Sequence, residues 1–167
     1  GAGFAVMMGV VLPWFQVLSA SVSIGIARAA VEATAVHAVE TRFEHLSERL
    51  AELPTIRAYI ARQRLKTDQA AALLNEAIDR VVLGAEDAML YVLEVKAAAA
   101  EAATEVTDLA MRVCGGAAFR REGAVERLFR DARAATVMAP TTDVLYDFIG
   151  KAVCGLPLFS EPADAAN

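Results

Sequence analysis

The sequence is short of the residues that most catalytic and binding motifs require. It has two cysteines and two histidines among 167 residues, and Cys114 and Cys154 show no paired spacing. A catalytic cysteine would need a nearby base, and the two histidines offer no recognisable constellation with either. The two cysteines are expected as small buried residues of a reducing compartment, which places the protein in the cytoplasm. A di-iron site in a helical bundle needs paired Glu-x-x-His units. The residues three positions before His37 and His45 are Thr34 and Arg42, so no metal is expected, and both histidines are read as partly exposed polar residues. An excess of basic charge is also missing. A net charge of −5 and a pI of about 5.1, with arginines interleaved among acids, exclude a nucleic-acid surface, which needs clustered Lys and Arg.

Charge of either sign is absent from residues 1–27. The stretch is long enough for a membrane span, but Pro13 interrupts it, Gly1, Gly3, Gly9 and Gly25 punctuate it, and Gln16, Ser19, Ser21 and Ser23 line the part after the proline. The reading is therefore no membrane span and no signal peptide. Residues 1–12 are expected as a connector, followed by a helix with Pro13 in its first turn, where the missing N–H costs nothing. A helix without charge is expected to be buried all round, by other helices or by a partner subunit.

What is present is helical. The hydrophobic share of 56% is rich in alanine, which favours closely packed helices over sheet. The first helix is expected to run to about Glu40. A second opens at Pro54 and ends near Gly84, with Ile56, Tyr59, Ile60, Leu73, Leu74, Ile78, Val81 and Val82 at three- and four-residue spacing. A third runs from about Ala85 to Cys114 with Val106, Leu109 and Val113 as its seam, and Ala97 to Ala100 allow close packing. A short charged helix follows, read as a salt-bridged brace. The last helix starts at or just after Pro140, with Thr141 and Thr142 available as caps, and closes at Gly155 and Pro157. No alternating strand pattern or internal repeat is seen. The fold class is all-α, an antiparallel four-helix bundle over residues 13–155, with 156–167 as a C-terminal tail.

One stretch carries more than fold. Gly115 and Gly116 end the third helix, and VERLFRDAR, Val125 to Arg133, follows at a fixed distance. Glycines there permit left-handed backbone and leave the main chain open to close approach. The pattern resembles the C-terminal helical domain of the acyl-CoA dehydrogenase family, where a Gly-Gly corner precedes a VERxYRDAR sequence and an EGTS-like turn. Gly3-Phe4, GIARAA at Gly25 to Ala30, and Thr41-Arg42 extend the resemblance over nearly the whole chain. It implies an N-terminal helical domain and a β-domain before residue 1, so that these residues form one domain of a larger enzyme.

The resemblance also implies roles. Arg42 matches the arginine that reaches the flavin pyrophosphate of a neighbouring subunit, an apt pairing of guanidinium with phosphate. Gly115 and Gly116 would admit the adenosine half of the same FAD, and Thr141 stands where a threonine bonds the flavin near its ring. This chain departs from the pattern at Phe43-Glu44-His45-Leu46 and at Arg112, where a glutamine is usual. In the family a carboxylate removes the α-proton of an acyl-CoA thioester. Its usual place is Ala139, with Pro140 for the following glycine, and an alanine accepts no proton. A second family position, on the first helix, falls at Pro13-Trp14-Phe15-Gln16, also without an acid. Asp143 is the nearest substitute, and a helix N-terminus favours an acid there in any case.

Three classes of function follow. The first is the flavin- and subunit-contacting domain of an FAD oxidoreductase acting on acyl-CoA as a homo-oligomer, dimer or tetramer. The second is a flavin-dependent monooxygenase, which needs no α-proton base and so suits Ala139. The third is a non-catalytic helical module for oligomerisation. Because the resembled flavin site also uses the β-domain, these residues alone are expected to be inactive and to purify colourless and self-associated. A flavin absorbance band at one equivalent would overturn that expectation.

Overall fold

A computed structural model of the chain describes residues 1–43 and 48–158. His45, the departure at Glu44-His45-Leu46 and most of the expected tail lie outside the described residues.

Helix α1 spans Ala2–Glu40. Residues 1–12, expected as a connector, are thus helical from Ala2 onward, and Pro13 lies well inside the helix. A π-helical turn, Met7–Val11, accommodates it. In an α-helix the proline ring collides with the carbonyl four residues back, here Gly9, and a widened turn relieves that contact. Only one stripe of α1 is buried in this chain: Gln16, Ala20, Ser23, Ile24, Ala27, Ala30, Thr34 and Ala38. Within this chain the expected burial is met on one side only, by its own helices, and the part expected of a partner subunit concerns the side that faces outward. Trp14 is 62% exposed, and Phe4, Leu18 and Val22 also face outward, because neighbouring helices cover only part of the circumference. By length and composition alone α1 could cross a membrane; 28% of its most apolar window is buried against the rest of the chain.

After α1 a two-residue antiparallel ladder pairs β1 (Arg42–Phe43) with β2 (Glu48–Arg49), in the register Arg42↔Arg49 and Phe43↔Glu48. It is too short to show as an alternating pattern. A 3₁₀ turn, Leu50–Glu52, leads to α2, Pro54–Leu83, which starts on its proline and stops at Gly84 with φ of 65°. Helix α3, Ala88–Cys114, follows. Arg80 braces that corner, donating to Glu76 at 2.7 Å and to Asp87 at 2.6 Å.

Three clusters fix the packing. Ala20 and Ile24 meet Ala70, Ala77, Val95 and Ala99. Ala27 and Ala30 meet Ala103, Val106 and Ala110. Ala38 meets Leu50, Val113 and the start of α2 at Ile56 and Tyr59. The clusters advance together along α1 and α3 and backwards along α2, an up-down-up arrangement. Helix α4, Ala124–Ala132, lays Val125, Leu128 and Ala132 over the α1–α3 seam. Its outer charges pair as the sequence implied, Arg130 with Glu126 at 2.9 Å. The short α5, Ala134–Val137, leads to α6, Thr142–Val153, whose Leu145 packs on Leu93 and Ala97. The Ala139–Pro140 peptide between them is cis. Neither Thr141 nor Thr142 caps α6 through its side chain; the first bond of the helix runs from the backbone N–H of Leu145 to the Thr141 carbonyl. Gly155, φ 69°, closes α6.

A larger residue in the α1–α3 seam has nowhere to go. Ala103→Leu should cost about 1–3 kcal/mol, whereas the same change at exposed Ala61 should stay within about 0.5 kcal/mol. Denaturant midpoints at unchanged slope check both.

Candidate functional site

At one pole of the bundle α3 ends on Gly115, with φ of 54° and ψ of −135°. The backbone then turns through a 3₁₀ stretch, Gly115–Phe119, anchored by buried Ala118. A Cβ added at Gly115 or Gly116 would meet nothing within 4 Å, whereas one at Gly123 would lie 3.3 Å from the Arg120 carbonyl. Gly123 is therefore a packing glycine, and the Gly115–Gly116 corner is bare main chain open to the outside. The ladder that carries Arg42 belongs to the same pole, because Ala38, Leu50 and Val113 share one cluster. Arg42 is exposed and sits directly opposite Arg49, also exposed. Like charges in that relation repel, so the pair is a natural place for an anion. His37 and Thr41, at the end of α1, are in side-chain contact at 3.3 Å, and His37 is half-buried as expected.

Thr141, Ala139 and Asp143 lie elsewhere. Ala139 lies in a turn held by Lys96 of α3, with Thr141 and Asp143 following it, and Lys96 to Gly115 is about 28 Å along the helix at the standard rise. Lys96 is 1% exposed. Its Nζ donates to the carbonyls of Met138, at 2.9 Å, and Pro140, at 2.5 Å, on either side of Ala139. Burial holds its ammonium below the usual lysine range. Ala139 and Asp143 are exposed, and the buried Thr142 hydroxyl has no partner among the described residues. Asp143 itself lines a groove of about 620 Å³, together with Glu101, Asp108, Arg133, Thr142 and Tyr146. Burial and the adjacent Glu101 carboxylate push the Tyr146 phenol up to about 12.

Gln16 stands at this pole too, one turn before Ala20. It is fully buried, and neither amide atom has a partner among the described residues. Both places where the resembled family carries its base therefore belong to one pole, and neither bears an acid. The cysteines divide: Cys114 is buried, which pushes its thiol up, whereas Cys154 is exposed at the end of α6 and not buried as expected.

Four residues escape a reading by motif: Arg49, Gln16, Gln63 and Lys96. For Lys96 a signal exists, since it lies four positions after Val92 and three before Ala99 on the apolar stripe of α3. Arg49 has none, because ladder register is not written in a two-residue strand.

Comparison with known proteins bears on the family and the fold. The family model for "Acyl-CoA dehydrogenase, C-terminal domain" matches residues 1–154. Cyclohex-1-ene-1-carbonyl-CoA dehydrogenase of Geobacter metallireducens is 28% identical over 92% of this chain and 40% of its own length. The 3-sulfinopropanoyl-CoA desulfinase of Paraburkholderia xenovorans is 28% identical over 94% of this chain and 39% of its own. The chain thus spans about 40% of the length of these relatives. Butyryl-CoA dehydrogenase of Megasphaera elsdenii shares the fold, with a TM-score of 0.86 at 23% identity over 92% of this chain and 39% of that one.

Backbone geometry predicts different tolerances at the two glycines. Gly115→Ala should cost about 1–2 kcal/mol for its left-handed φ, and Gly116→Ala less than about 0.5 kcal/mol, measured by denaturant unfolding. For Tyr146, the unfolded phenol ionises near its ordinary 10.0 and the folded one at about 12. The folded state then holds more protons between those values, so stability falls as pH rises through that window. Tyr146→Phe should remove that slope, and the last step of the phenolate absorbance titration with it.

Proposed function

The chain belongs to the acyl-CoA dehydrogenase family as its C-terminal domain, and from that premise we propose that it is the flavin- and subunit-contacting part of an FAD oxidoreductase acting on acyl-CoA thioesters. The observation that supports the reading is that Arg42, after the end of α1, and Gly115 and Gly116, at the end of α3, belong to one pole of the bundle. The bare corner leaves main chain open to close approach, which suits the adenosine half of a dinucleotide, and the paired arginines suit its pyrophosphate. We read this contact as reaching the FAD of a neighbouring subunit, in a cytoplasmic homo-oligomer, dimer or tetramer. The outward apolar face of α1 supports an assembly. The matched relatives bear names built on CoA thioesters, which supports that substrate class here.

Bound FAD supplies a two-electron acceptor; the residues of this chain determine what else happens. Thr141, at the opposite pole, is available to hydrogen-bond near the flavin ring. Ala139 takes no proton from the α-carbon, and Asp143, exposed in the first turn of α6, is the acid nearest in sequence. Loss of the base favours one second reading, a flavin-dependent monooxygenase, in which no α-proton has to be accepted. The desulfinase among the relatives is a precedent, by its name, for a reaction other than dehydrogenation on this fold.

In the full-length protein, Arg42→Gln and Gly116→Val should each weaken FAD binding by about tenfold and leave the melting of the apoprotein unchanged. Retention of full flavin affinity by both variants would remove the corner from the site. Acyl-CoA oxidation against an electron acceptor, set beside reductase-dependent oxygen uptake, separates the two reactions. Under the dehydrogenase reading, Ala139→Glu raises acceptor reduction; under the monooxygenase reading it does not.

A further inference from the structure

We infer that Lys96 is the positioning residue for the turn at Ala139: its Nζ draws in the carbonyls of Met138 and Pro140 and so fixes the direction in which residue 139 projects. The consequence for catalysis rests on the reading above; the grip itself rests on geometry.

A lysine is almost never fully buried without a carboxylate partner, yet Lys96 is 1% exposed and takes part in no ion pair among the described residues. A methionine or leucine would fill the same space on α3 without desolvating an ammonium. What lysine adds is three N–H donors on a long stem, and two of them are used on carbonyls that flank a single residue. Among the described residues these are the hydrogen bonds that tie residues 138–141 to α3. The other bonds of the turn run to its own flanking helices, Met138 to the Ala134 carbonyl and Leu145 to the Thr141 carbonyl. Thr141 caps nothing through its side chain, and the Thr142 hydroxyl is unpartnered. With both neighbouring carbonyls turned inward, Ala139 is left exposed. The device therefore orients whatever side chain occupies position 139, independently of its identity.

The test uses the full-length protein carrying Cys154→Ser, with a nitroxide label on Ala139→Cys and a control label on Phe119→Cys at the other pole. With Lys96 in place, the label at 139 should show a slow-motion spectrum. Lys96→Met should convert it to a predominantly fast one, with helical dichroism and the label at 119 unchanged. Lys96→Gln, which shortens the stem and removes the charge, is the second variant should the methionine fail to fold. An unchanged spectrum at 139, or equal loosening at 139 and 119, overturns the inference, the latter because it marks Lys96 as a core filler only. In the Ala139→Glu background, Lys96→Met should lower kcat about tenfold with KM within about twofold; an unchanged kcat counts against positioning. Absence of any activity in Ala139→Glu itself counts against the dehydrogenase reading, and the label spectra then decide the role of Lys96.

Discussion

Helices α1 and α3 lie close because both offer alanine where they meet. Ala27, Ala30, Ala103 and Ala110 are buried to 1% exposure or less. Small side chains let two backbones approach closely and leave no void larger than a methyl group would fill. The placement of the candidate site residues follows from the direction of that seam. Because α1 and α3 run the same way, the end of one delivers Arg42 beside the end of the other, which delivers Gly115. Their beginnings bring Gln16 and Lys96 to the opposite pole. An antiparallel pairing of the same two helices would have put the arginine with the lysine and the glycine corner alone.

Alanine seams are weakly specific, since one small residue fits against another at several registers. Polar atoms set into this one remove the freedom. Gln63 of α2 donates to the Thr34 hydroxyl at 3.3 Å and to the Val106 carbonyl at 2.9 Å, touching all three long helices. A slip of one turn would strand those buried groups, and an unpaired buried amide costs more than a made hydrogen bond returns. Lys96 acts in the same way between α3 and the turn before α6.

The boundaries of the long helices were legible because proline and glycine mark them: Pro54 and Gly84 bound α2, and Gly115 ends α3. The Gly-Gly corner was legible for the same reason, since the conformation of glycine is a local property. Pro13 misled, because a proline reads as a helix start unless a π turn makes room for it, and nothing in MMGVV announces one. The polar core was hidden for a different reason. Gln16, Gln63 and Lys96 are ordinary surface residues by type, and only their spacing against buried alanines places them inside. Arg49 opposite Arg42 is a tertiary fact with no local signature.

The charge-free stretch at the beginning of the chain shows how one compositional feature has two causes. Along the stripe of Ala20, Ile24 and Ala27, charge is missing because α3 is there and a buried ion would be unpaired. On the opposite side Trp14 and Val17 join Ile78, Val81 and Val82 of α2 to wall an apolar groove of about 270 Å³, and Val82 is 78% exposed. No packing within the chain requires apolar residues on that side, and water alone would favour polar ones. The patch is continuous across two helices, α1 and α2, and its apolar lining is of the kind that suits contact with another surface.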